Sequence, residues 1–325
     1  MPAYEAKFRQ EAVIRTVHHG THIEGNRLDT GEVAAVLDGQ EVSAKDRDVQ
    51  EVLNYRNVLK YIDKSQRGQR SQKSQRIDEK DLQNIHKLTV EKVLPSEKAG
   101  KYRTTQVVVK NSKTGEISFR PPPANEVPRL VKEFFNWTGD GQFSETHPVL
   151  TAGITHYVLA YIHPFVDGNG RAARALATMV LFARGYDIKK FFSLEEYFDR
   201  NAKKYYQTLQ AVSNQKADLS GKDLTVWLEY FCEGLAEELE RVKERVRKLS
   251  LDSKLKGRTG QIVLSERQLA LVEYIEKYGS ISNKQWRSIL RDYSDDTILR
   301  DMHDLQKKGL IKKKGSTKGA VYVLK

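Results

Sequence analysis

The stretch YIHPFVDGNGRAARALATMVLFARGY, Tyr161 to Tyr186, joins a polar, glycine-rich segment to the start of an apolar helix. Gly168 and Gly170 flank Asn169, and glycine permits the positive φ angles that let a backbone approach a ligand closely. We predict a helix from about Arg171, so that its free N–H groups and the positive end of its dipole face the glycines. Such a helix start is an anion site suited to phosphate.

Four charged or titratable side chains in this stretch could act on a bound phosphate. Arg171 and Arg174 are three residues apart, so both can lie on one helical face and clamp phosphate oxygens. Asp167 is a hard oxygen ligand that suits Mg²⁺. His163, which the following proline should keep extended, is a residue type that accepts protons near neutral pH. In this order the groups predict phosphoryl or nucleotidyl transfer; a packed histidine beside solvated arginines is the alternative.

The composition is that of a globular protein with a basic surface. The chain has 325 residues, of which 39% are hydrophobic and 30% charged, and its formal net charge is +12. This length suggests one to three domains, and the positive charge is compatible with a polyanionic partner. A single cysteine, Cys232, excludes an intramolecular disulfide. There is no apolar run of ~18 residues and no secretory signal, so we expect a cytoplasmic protein without a membrane span.

Hydrophobic spacing predicts a mainly helical chain. Apolar residues recur at helical intervals in Arg47–Ile62, in Glu79–Leu94 and from about Leu224 towards Leu249. The polar, basic segment Ser65–Arg76 is predicted as a surface loop, with an RNA-binding arm as the alternative. The last helix loses its apolar residues towards its end, and we place the main domain boundary near Gly257–Gly260.

One β-hairpin is expected among the helices. Its strand-like runs are Val107–Val109 and Ile117–Phe119, and its turn lies within Lys110–Glu116. The prolines Pro121–Pro123 cannot continue the second strand. A lone hairpin packed on helices is more often a functional flap than a stabilising sheet.

From Leu264 the sequence predicts a separate module of three helices followed by a hairpin. Gly279 should end the first helix, and Ser282 and Ser294 should cap the second and third. The hairpin tip, Gly315–Gly319, is flanked by lysines. This order is typical of a winged helix–turn–helix, whose basic tip favours DNA phosphate contacts. Two aspartates at the start of the third helix oppose DNA binding, so a protein contact is the alternative.

The residues HPFVDGNGRAAR, His163 to Arg174, meet every specified position of the signature HPFx[D/E]GNGRxxR, and so resemble the Fic (filamentation induced by cAMP) domain family. The similarity extends over about Ile23 to Ala236 and includes the hairpin and the segment RNAKKYYQTL. It implies a Fic-type helical bundle with a β-hairpin flap, in addition to the winged-helix module. The expected domains are an N-terminal helical region (1–95) with an inhibitory helix near 16–26, the catalytic core (96–256) and the winged helix–turn–helix (257–325).

The resemblance implies protein adenylylation, in which a Ser, Thr or Tyr hydroxyl of a target attacks the α-phosphate of ATP and pyrophosphate leaves. His163 would be the general base and Asp167 the Mg²⁺ ligand. The remaining nucleotide contacts would come from the loop (Gly168, Asn169, Gly170), from Arg171 at the β-phosphate and Arg174 at the γ-phosphate, and from Asn201 and Tyr205 at the adenine. The target would add a strand along the flap residues Thr104, Thr105, Gln106, Val107, Val108 and Val109.

The segment HHGTHIEGNRL, His18 to Leu28, is similar to the family's inhibitory motif [S/T]xxxE[G/N]. Taken alone, its EGN is a helix end with a left-handed cap. The resemblance implies instead that Glu24 pairs with Arg174 in the place of the γ-phosphate, as the charge and bidentate geometry of a carboxylate allow. Gly20 stands where the motif has a hydroxyl residue, and Thr21 follows one position later.

Three histidines of the same segment, His18, His19 and His22, permit a metal-binding alternative, because residues four apart share a helical face. They lack Cys, Asp or Glu neighbours with metal-site spacing, so we predict surface or packing histidines. Cys232 lies in an aromatic helical stripe and is predicted to be a core residue.

Several functions stay open at this point. The same fold could run in reverse as a de-AMPylase, or transfer another phosphate-containing group, because the loop binds phosphates rather than the base. A third alternative is a nucleotide-sensing DNA-binding regulator. The expected partners are a protein target, DNA through residues 258–325, and a second copy of the chain.

Overall fold

The computed structural model describes residues 2–69, 77–110, 115–186, 191–259, 264–291, 293–315 and 320–325. Its two compact units are Pro2–Val242 and Lys243–Lys325. The division lies inside a single long helix; the predicted boundary near Gly257 lies further along that helix and stays a prediction. In the described part of the chain, none of the helices has both the length and the apolar content that a membrane span requires.

The first unit is built from helices and one hairpin. The helices are α1 (Pro2–His22), α2 (Thr30–Leu37), α3 (Asp46–Gln69), α4 (Glu79–Thr89), α5 (Val127–Trp137), α6 (Gly141–Glu145), α7 (Pro148–Ile162), α8 (Asn169–Ala183), α9 (Leu194–Arg200), α10 (Ala202–Ser213) and the start of α11 (Thr225–Thr259). The strands are β1 (Val109–Lys110) and β2 (Ile117–Phe119). The predicted mainly helical class is confirmed.

Helix α8 forms the centre of this unit. Its alanine-rich sequence is apolar around its circumference, and it packs against α7, α3 and α4. Nearly all of its residues are buried, including Arg171 and Arg174. The helix that follows the glycine loop therefore carries both arginines into the interior.

Two helix boundaries differ from the sequence predictions. Helix α3 continues to Gln69, so the predicted loop is wrong for residues 65–69, where the good helix formers Gln66, Arg67 and Gln69 extend the helix despite Gly68. Residues 70–76 lie outside the described residues. Helix α4 ends at Thr89 rather than Leu94. The reason is a side chain of α3: Asn54 Nδ2 donates to the carbonyls of Thr89, at 3.1 Å, and Glu91, at 2.7 Å, and so binds the chain as it leaves α4.

The predicted hairpin is present, with a shorter first strand. β1 pairs antiparallel with β2, Val109 opposite Phe119 and Lys110 opposite Ile117. Of the predicted run Val107–Val109, only Val109 is in the ladder, and Lys110, predicted to be in the turn, pairs with β2. Residues 111–114 of the turn lie outside the described residues.

The second unit has its own core and a three-stranded antiparallel sheet. Its elements after α11 are α12 (Glu266–Tyr278), β3 (Ile281–Ser282), α13 (Asn283–Ile289), α14 (Asp295–Lys307), β4 (Ile311–Lys314) and β5 (Val321–Leu324), with sheet order β3-β5-β4. Gly279 ends α12 in a left-handed conformation, and Ser282 and Ser294 cap α13 and α14, as predicted. Trp286, Ile298 and Met302 are buried in its core. Of the predicted hairpin tip, residues 316–319 lie outside the described residues.

Candidate functional site

His163 occupies the C-cap of α7 with φ 51° and ψ 59°, a left-handed conformation, so the predicted extended conformation is wrong. The following proline excludes the right-handed helix at this position, and a left-handed cap satisfies that restriction as well as an extended residue does. Arg103 Nε donates a hydrogen bond to the His163 carbonyl at 2.8 Å.

The protonation state of His163 follows from its contacts. Its Nδ1 lies 3.2 Å from the carbonyl of Ala160, which can only accept, so Nδ1 carries the proton and Nε2 keeps a lone pair. Burial lowers the pKa of His163, and the opposing effects of the Ala160 hydrogen bond and the Glu24 carboxylate are smaller. At neutral pH the ring is therefore a neutral proton acceptor.

The glycine loop is closed by the side chain of Asn169. Its Oδ1 accepts from the Phe165 amide at 2.8 Å, and its Nδ2 donates to the Phe165 carbonyl at 2.9 Å. The amide is thus committed to holding the loop, and α8 begins at Asn169, two residues before the predicted start. Gly168 caps the helix at φ 75°, where a Cβ would also lie 2.9 Å from a methyl group of Val90.

Arg171 is buried with donors left open. Its Nη1 lies 3.3 Å from Glu51 Oε1 on α3, and its Nη2 lies 3.7 Å from Asp167 Oδ1. These contacts balance its charge, yet Nε and Nη1 make no hydrogen bond within the described part of the protein. Glu51 is held in turn by Asn26, which donates to it at 3.2 Å. A buried guanidinium with unsatisfied N–H groups is a site for an anion.

Arg174 has a carboxylate partner. Its Nη2 lies 2.8 Å from Glu24 Oε1 and donates to the Gly20 carbonyl at 3.0 Å, while Nε and Nη1 find no described partner. Burial is the largest single effect on the pKa of Arg174 and lowers it, but the Glu24 carboxylate and the surrounding tyrosines Tyr205, Tyr55 and Tyr206 together raise that pKa well above its ordinary value. A Cβ added to Gly170 would collide with Glu24, so the carboxylate fills the space over the loop.

The glycine at position 20 has a steric cause. A Cβ there would overlap the ring of Tyr55, a buried α3 residue whose hydroxyl donates to Glu195 Oε1 at 2.9 Å. The Thr21 hydroxyl instead donates to carbonyls of its own helix, at 2.9 Å to Val17 and 3.0 Å to His18. Here the arginine contact at this turn is made by the Gly20 backbone rather than by a hydroxyl side chain.

Two of the three histidines of α1, His19 and His22, fasten the end of that helix to α9. His19 Nδ1 lies 2.7 Å from Asp199 Oδ2, and His22 Nδ1 lies 2.9 Å from both oxygens of Asp199. His18 stacks on His22. Among the residues that the structure describes, no group of three or more His, Cys, Asp or Glu side chains could hold a metal ion.

Asp167 offers a partly exposed carboxylate beside the loop. Its Oδ2 accepts from Arg47 Nη2 at 3.0 Å, and 38% of its side chain is accessible. Its backbone carbonyl lies 3.0 Å from Nε2 of His86, whose Nδ1 accepts from the Gly100 amide at 2.9 Å, so Nε2 is the donor. Burial lowers the pKa of His86 to about 4, which keeps that tautomer neutral. Mg²⁺ commonly takes one or two carboxylates together with substrate phosphates, so an accessible Asp167 beside an anion site fits this ion.

The two residues predicted at the adenine lie in different surroundings. Asn201 is exposed between α9 and α10, whereas Tyr205 is buried, with its hydroxyl 3.0 Å from His156 Nε2 and its ring stacked on Phe198. The neighbouring Tyr206 is half exposed, and its hydroxyl donates to the Ile23 carbonyl at 3.2 Å, next to Glu24. The adenine role of Asn201 and Tyr205 stays a prediction.

The flap residues Thr104, Thr105 and Gln106 are exposed, and Val107 to Val109 are half-buried. Two surface cavities, of about 660 and 410 Å³, lie elsewhere, and neither is lined by His163 or by the two arginines. The Glu24 carboxylate fills the space over Gly170 in the loop.

Five contributors to the site escaped the sequence analysis: Arg47, Glu51, His86, Arg103 and Tyr206. Four of them lie in segments that the sequence analysis gave no site motif, and Tyr206 lies in the family-like segment RNAKKYYQTL but was given no role there. Only the helical periodicity of α3 and α4 hinted that one face of each would meet α8.

The comparisons with known proteins agree with this fold. Residues 76–181 match the Fic/DOC family, and this part of the chain is a Fic/DOC family domain. A Fic family protein from Desulfovibrio desulfuricans has a similar structure, with a TM-score of 0.61 and 24% identity over 98% of this chain and 87% of that chain. A Fic domain containing signaling protein from Bacteroides thetaiotaomicron also has a TM-score of 0.61, with 22% identity over 75% of this chain and 91% of that chain.

Curated relatives carry a more specific name. Protein adenylyltransferase Fic of Drosophila grimshawi is 34% identical over 180 residues, which cover 55% of this chain and 35% of that protein. The protein of the same name from Drosophila melanogaster is also 34% identical, over 55% of this chain and 34% of its own length. The matched region thus spans about a third of the length of these relatives.

Proposed function

We propose that this protein is an adenylyltransferase that transfers AMP from ATP to a Ser, Thr or Tyr hydroxyl of a target protein. The observation that carries the proposal is the pair of buried arginines, Arg171 and Arg174, whose unsatisfied N–H groups lie on the helix that starts at the glycine loop. A neutral histidine, His163, precedes the same loop. The names of the Drosophila relatives support the same reaction.

In the proposed reaction His163 Nε2 accepts the proton of the target hydroxyl. The hydroxyl oxygen forms a bond to the α-phosphorus of ATP, the bond from that phosphorus to the bridging oxygen breaks, and pyrophosphate leaves. The loop N–H groups and the start of α8 hold the phosphates. Arg171 binds the β-phosphate and Arg174 the γ-phosphate, where their open donors balance the charge of the leaving group.

We propose Asp167 as the Mg²⁺ ligand. When bound, Mg²⁺ neutralises phosphate charge and orients the phosphates. In the described arrangement Arg47 occupies one carboxylate oxygen of Asp167, so this arginine and the ion compete for the same group. The carbonyl bond from His86 fixes the backbone that presents the carboxylate.

We propose that Glu24 restrains the enzyme. Its carboxylate pairs with Arg174 where the γ-phosphate would bind and covers Gly170. ATP and Glu24 then compete for one guanidinium, and removal of Glu24 raises activity.

The proposal is tested by labelling with α-³²P-ATP and Mg²⁺ on purified protein and on cell lysate. Wild type, Glu24→Gly, His163→Ala and the double variant are compared, with Glu41→Gly, an exposed loop glutamate, as the matched control. Label should appear with Glu24→Gly, vanish in the double variant and stay at the wild-type level with Glu41→Gly. Label that persists without His163, or no label in any variant, would contradict the proposal and favour the reverse reaction, another transferred group or a nucleotide sensor.

For the second unit we propose a winged helix–turn–helix that binds DNA. Support comes from the element order and from Lys312, Lys313 and Lys314, which are exposed on β4. Against it stands Asp295 at the start of α14, paired with Arg287. Retention of duplex DNA by the full chain should weaken with rising salt and with lysine-to-alanine changes at 312–314. If the chain retains no DNA at low salt, the DNA-binding role is wrong and the alternative, a module that contacts another protein, remains.

The domain division, the location and the assembly are proposed on the same basis. We keep the N-terminal region 1–95, the core 96–256 and the module 257–325, together with a cytoplasmic location and a homo-oligomer. Size-exclusion chromatography with light scattering and cell fractionation test the last two.

A further inference from the structure

Arg103, in the loop that leads into the hairpin, is a buried cation whose described contacts include no carboxylate. Only 2% of the residue is exposed. Its guanidinium donates to oxygens of neutral groups: from Nε to the His163 carbonyl at 2.8 Å, and from Nη2 to the Pro122 carbonyl at 2.6 Å and the Ile162 carbonyl at 3.4 Å. A charge held by carbonyls alone is an uncommon arrangement for a buried arginine, because buried charges are usually paired.

The carbonyl oxygens that the Arg103 guanidinium contacts come from three places in the chain. Ile162 and His163 end α7, Thr105 precedes the hairpin and Pro122 follows it. Arg103 Nη1 lies 3.3 Å from the Thr105 carbonyl, and the Arg103 amide donates to the Pro164 carbonyl at 2.8 Å. One side chain therefore joins the two ends of the flap to the backbone of the histidine.

The chemistry of the contact suits arginine and no other residue. The last carbonyls of a helix lack intrahelical partners and carry the negative end of its dipole, so a cation there is stabilising. The five guanidinium donors point in fixed, divergent directions, whereas lysine offers one nitrogen. Arginine can satisfy both flap ends and the helix end together.

The contact also bears on the conformation of His163. Of the non-glycine residues that the structure describes, only His163 and Lys92 have positive φ angles. A left-handed histidine is a sparsely populated state that persists when surrounding contacts hold it. The donated bonds to the Ile162 and His163 carbonyls are such contacts.

We propose that Arg103 is a positioning residue that couples the flap to His163, so that displacement of one displaces the other. The inference rests on the proposed function for its catalytic meaning, because the flap would hold the target and His163 would take its proton. The coupling itself is a property of the backbone and is measurable without a target or a nucleotide.

The experiment compares Arg103→Met, Arg103→Lys and the control Arg129→Met in the full chain. Arg129 is an exposed arginine of α5 that pairs with Glu126 and Glu133. Two readouts are taken: hydrogen exchange of peptides covering 104–110 and 115–120, and the rate at which diethyl pyrocarbonate modifies His163, read by mass spectrometry. Arg103→Lys keeps the charge and provides a folded comparison in case Arg103→Met does not fold.

Both readouts should rise together, most in Arg103→Met, less in Arg103→Lys and not in Arg129→Met. Loss of hydrogen bonds to a charged group is expected to speed flap exchange by about tenfold, or about 1.4 kcal/mol of opening free energy. Faster flap exchange with an unchanged His163 rate would overturn the coupling, as would a changed His163 rate with an unchanged flap.

A third readout separates this inference from the proposed function. In the Glu24→Gly background, Arg103→Lys should lower kcat for AMP transfer by about tenfold and leave KM for ATP unchanged, because the arginine contacts no nucleotide group. Transfer with an unaltered kcat would overturn the coupling even if the reaction exists. If Glu24→Gly shows no AMP transfer but flap exchange and His163 modification still change in parallel, the proposed reaction is wrong and the coupling is retained.

Discussion

Oε1 of Glu24 lies 2.8 Å from Nη2 of Arg174, and the two side chains differ sharply in exposure, 29% for the glutamate and 1% for the arginine. The glutamate follows α1, a helix that is fastened to α9 by the two histidine contacts with Asp199. The Glu24 carboxylate is therefore the solvent-accessible partner of the pair, and the Arg174 guanidinium is the buried one. This relationship governs the predictions for nucleotide binding.

Replacing Glu24 by glycine should tighten ATP binding more than ADP binding. In the proposed arrangement the carboxylate stands in for the γ-phosphate, which ADP lacks. A contact of this kind is worth about 1.5 kcal/mol or more, so we expect about a tenfold gain for ATP. Isothermal titration calorimetry of both nucleotides with Glu24→Gly and with the exposed-loop control Glu41→Gly measures it. An equal gain for ATP and ADP would place Glu24 elsewhere than at the terminal phosphate.

Gly20→Ala should destabilise the first unit. The new Cβ would overlap the Tyr55 ring, which is buried and hydrogen-bonded to Glu195, so the ring or α1 must shift. Overpacking of this kind costs about 1–3 kcal/mol. Thermal unfolding measures the loss, with Gly141→Ala, where nothing lies within 4 Å of a new Cβ, as the matched control. A midpoint for Gly20→Ala equal to that of the control would show that Tyr55 moves aside freely.

His156→Gln should flatten the dependence of stability on pH. Burial lowers the pKa of His156 to about 3, whereas the unfolded residue titrates near 6.5. Between about pH 3 and 6.5 the unfolded chain binds the extra proton, so this residue lowers stability as the pH falls, by up to ~1.4 kcal/mol per pH unit. Glutamine can still accept from the Tyr205 hydroxyl but does not titrate.

Urea unfolding at pH 7, 6 and 5 tests this difference. A Trp286→Phe background confines the tryptophan signal to the first unit, since the other two tryptophans, Trp137 and Trp227, both lie there. Relative to its parent, the glutamine variant should lose less stability between pH 6 and pH 5. Parallel slopes in the two proteins would mean that His156 is already protonated in the folded state.

Arg47→Ala should strengthen divalent-metal binding. Arg47 Nη2 occupies Asp167 Oδ2 at 3.0 Å, and 59% of the arginine side chain is exposed, so the contact is screened and worth at most about 1 kcal/mol. We expect about a two- to fivefold tighter Mn²⁺ affinity with ATP present, read by electron paramagnetic resonance. Arg129→Ala is the control. Weaker Mn²⁺ binding in Arg47→Ala would instead show that Arg47 supports metal binding by Asp167.

Much of the site lies within one stretch of chain, and for that reason its outline follows from the sequence. The spacing from His163 to Arg174 is fixed by a turn and one helical face, and the glycines mark the loop. The sequence could predict a phosphate site in this stretch because the local backbone geometry determines how its side chains are placed. The pairing of Glu24 with Arg174 rested on the family resemblance, since nothing local links the two residues.

Other features depend on contacts between distant segments. The rule for residues before proline disfavours the right-handed helical conformation of His163 but does not choose between the extended and left-handed ones, and the Arg103 bond to its carbonyl comes from another segment. The end of α4 is set by Asn54, a side chain of another helix. Glycine at position 20 reflects a ring on α3. Nothing in the segments that contain Arg103, Asn54 or Tyr55 indicates which distant residue each of them contacts.

The near-complete burial of Arg174 has a consequence for the order of events at the site. If Glu24 withdrew before an anion arrived, the guanidinium would stand uncompensated in the interior, which costs on the order of 3 kcal/mol for a buried pair and less where one partner is partly exposed. A vacant, open pocket is therefore the least populated state. Carboxylate and phosphate should exchange by direct replacement, so that nucleotide concentration, rather than spontaneous loosening of α1, sets how often the site is ready.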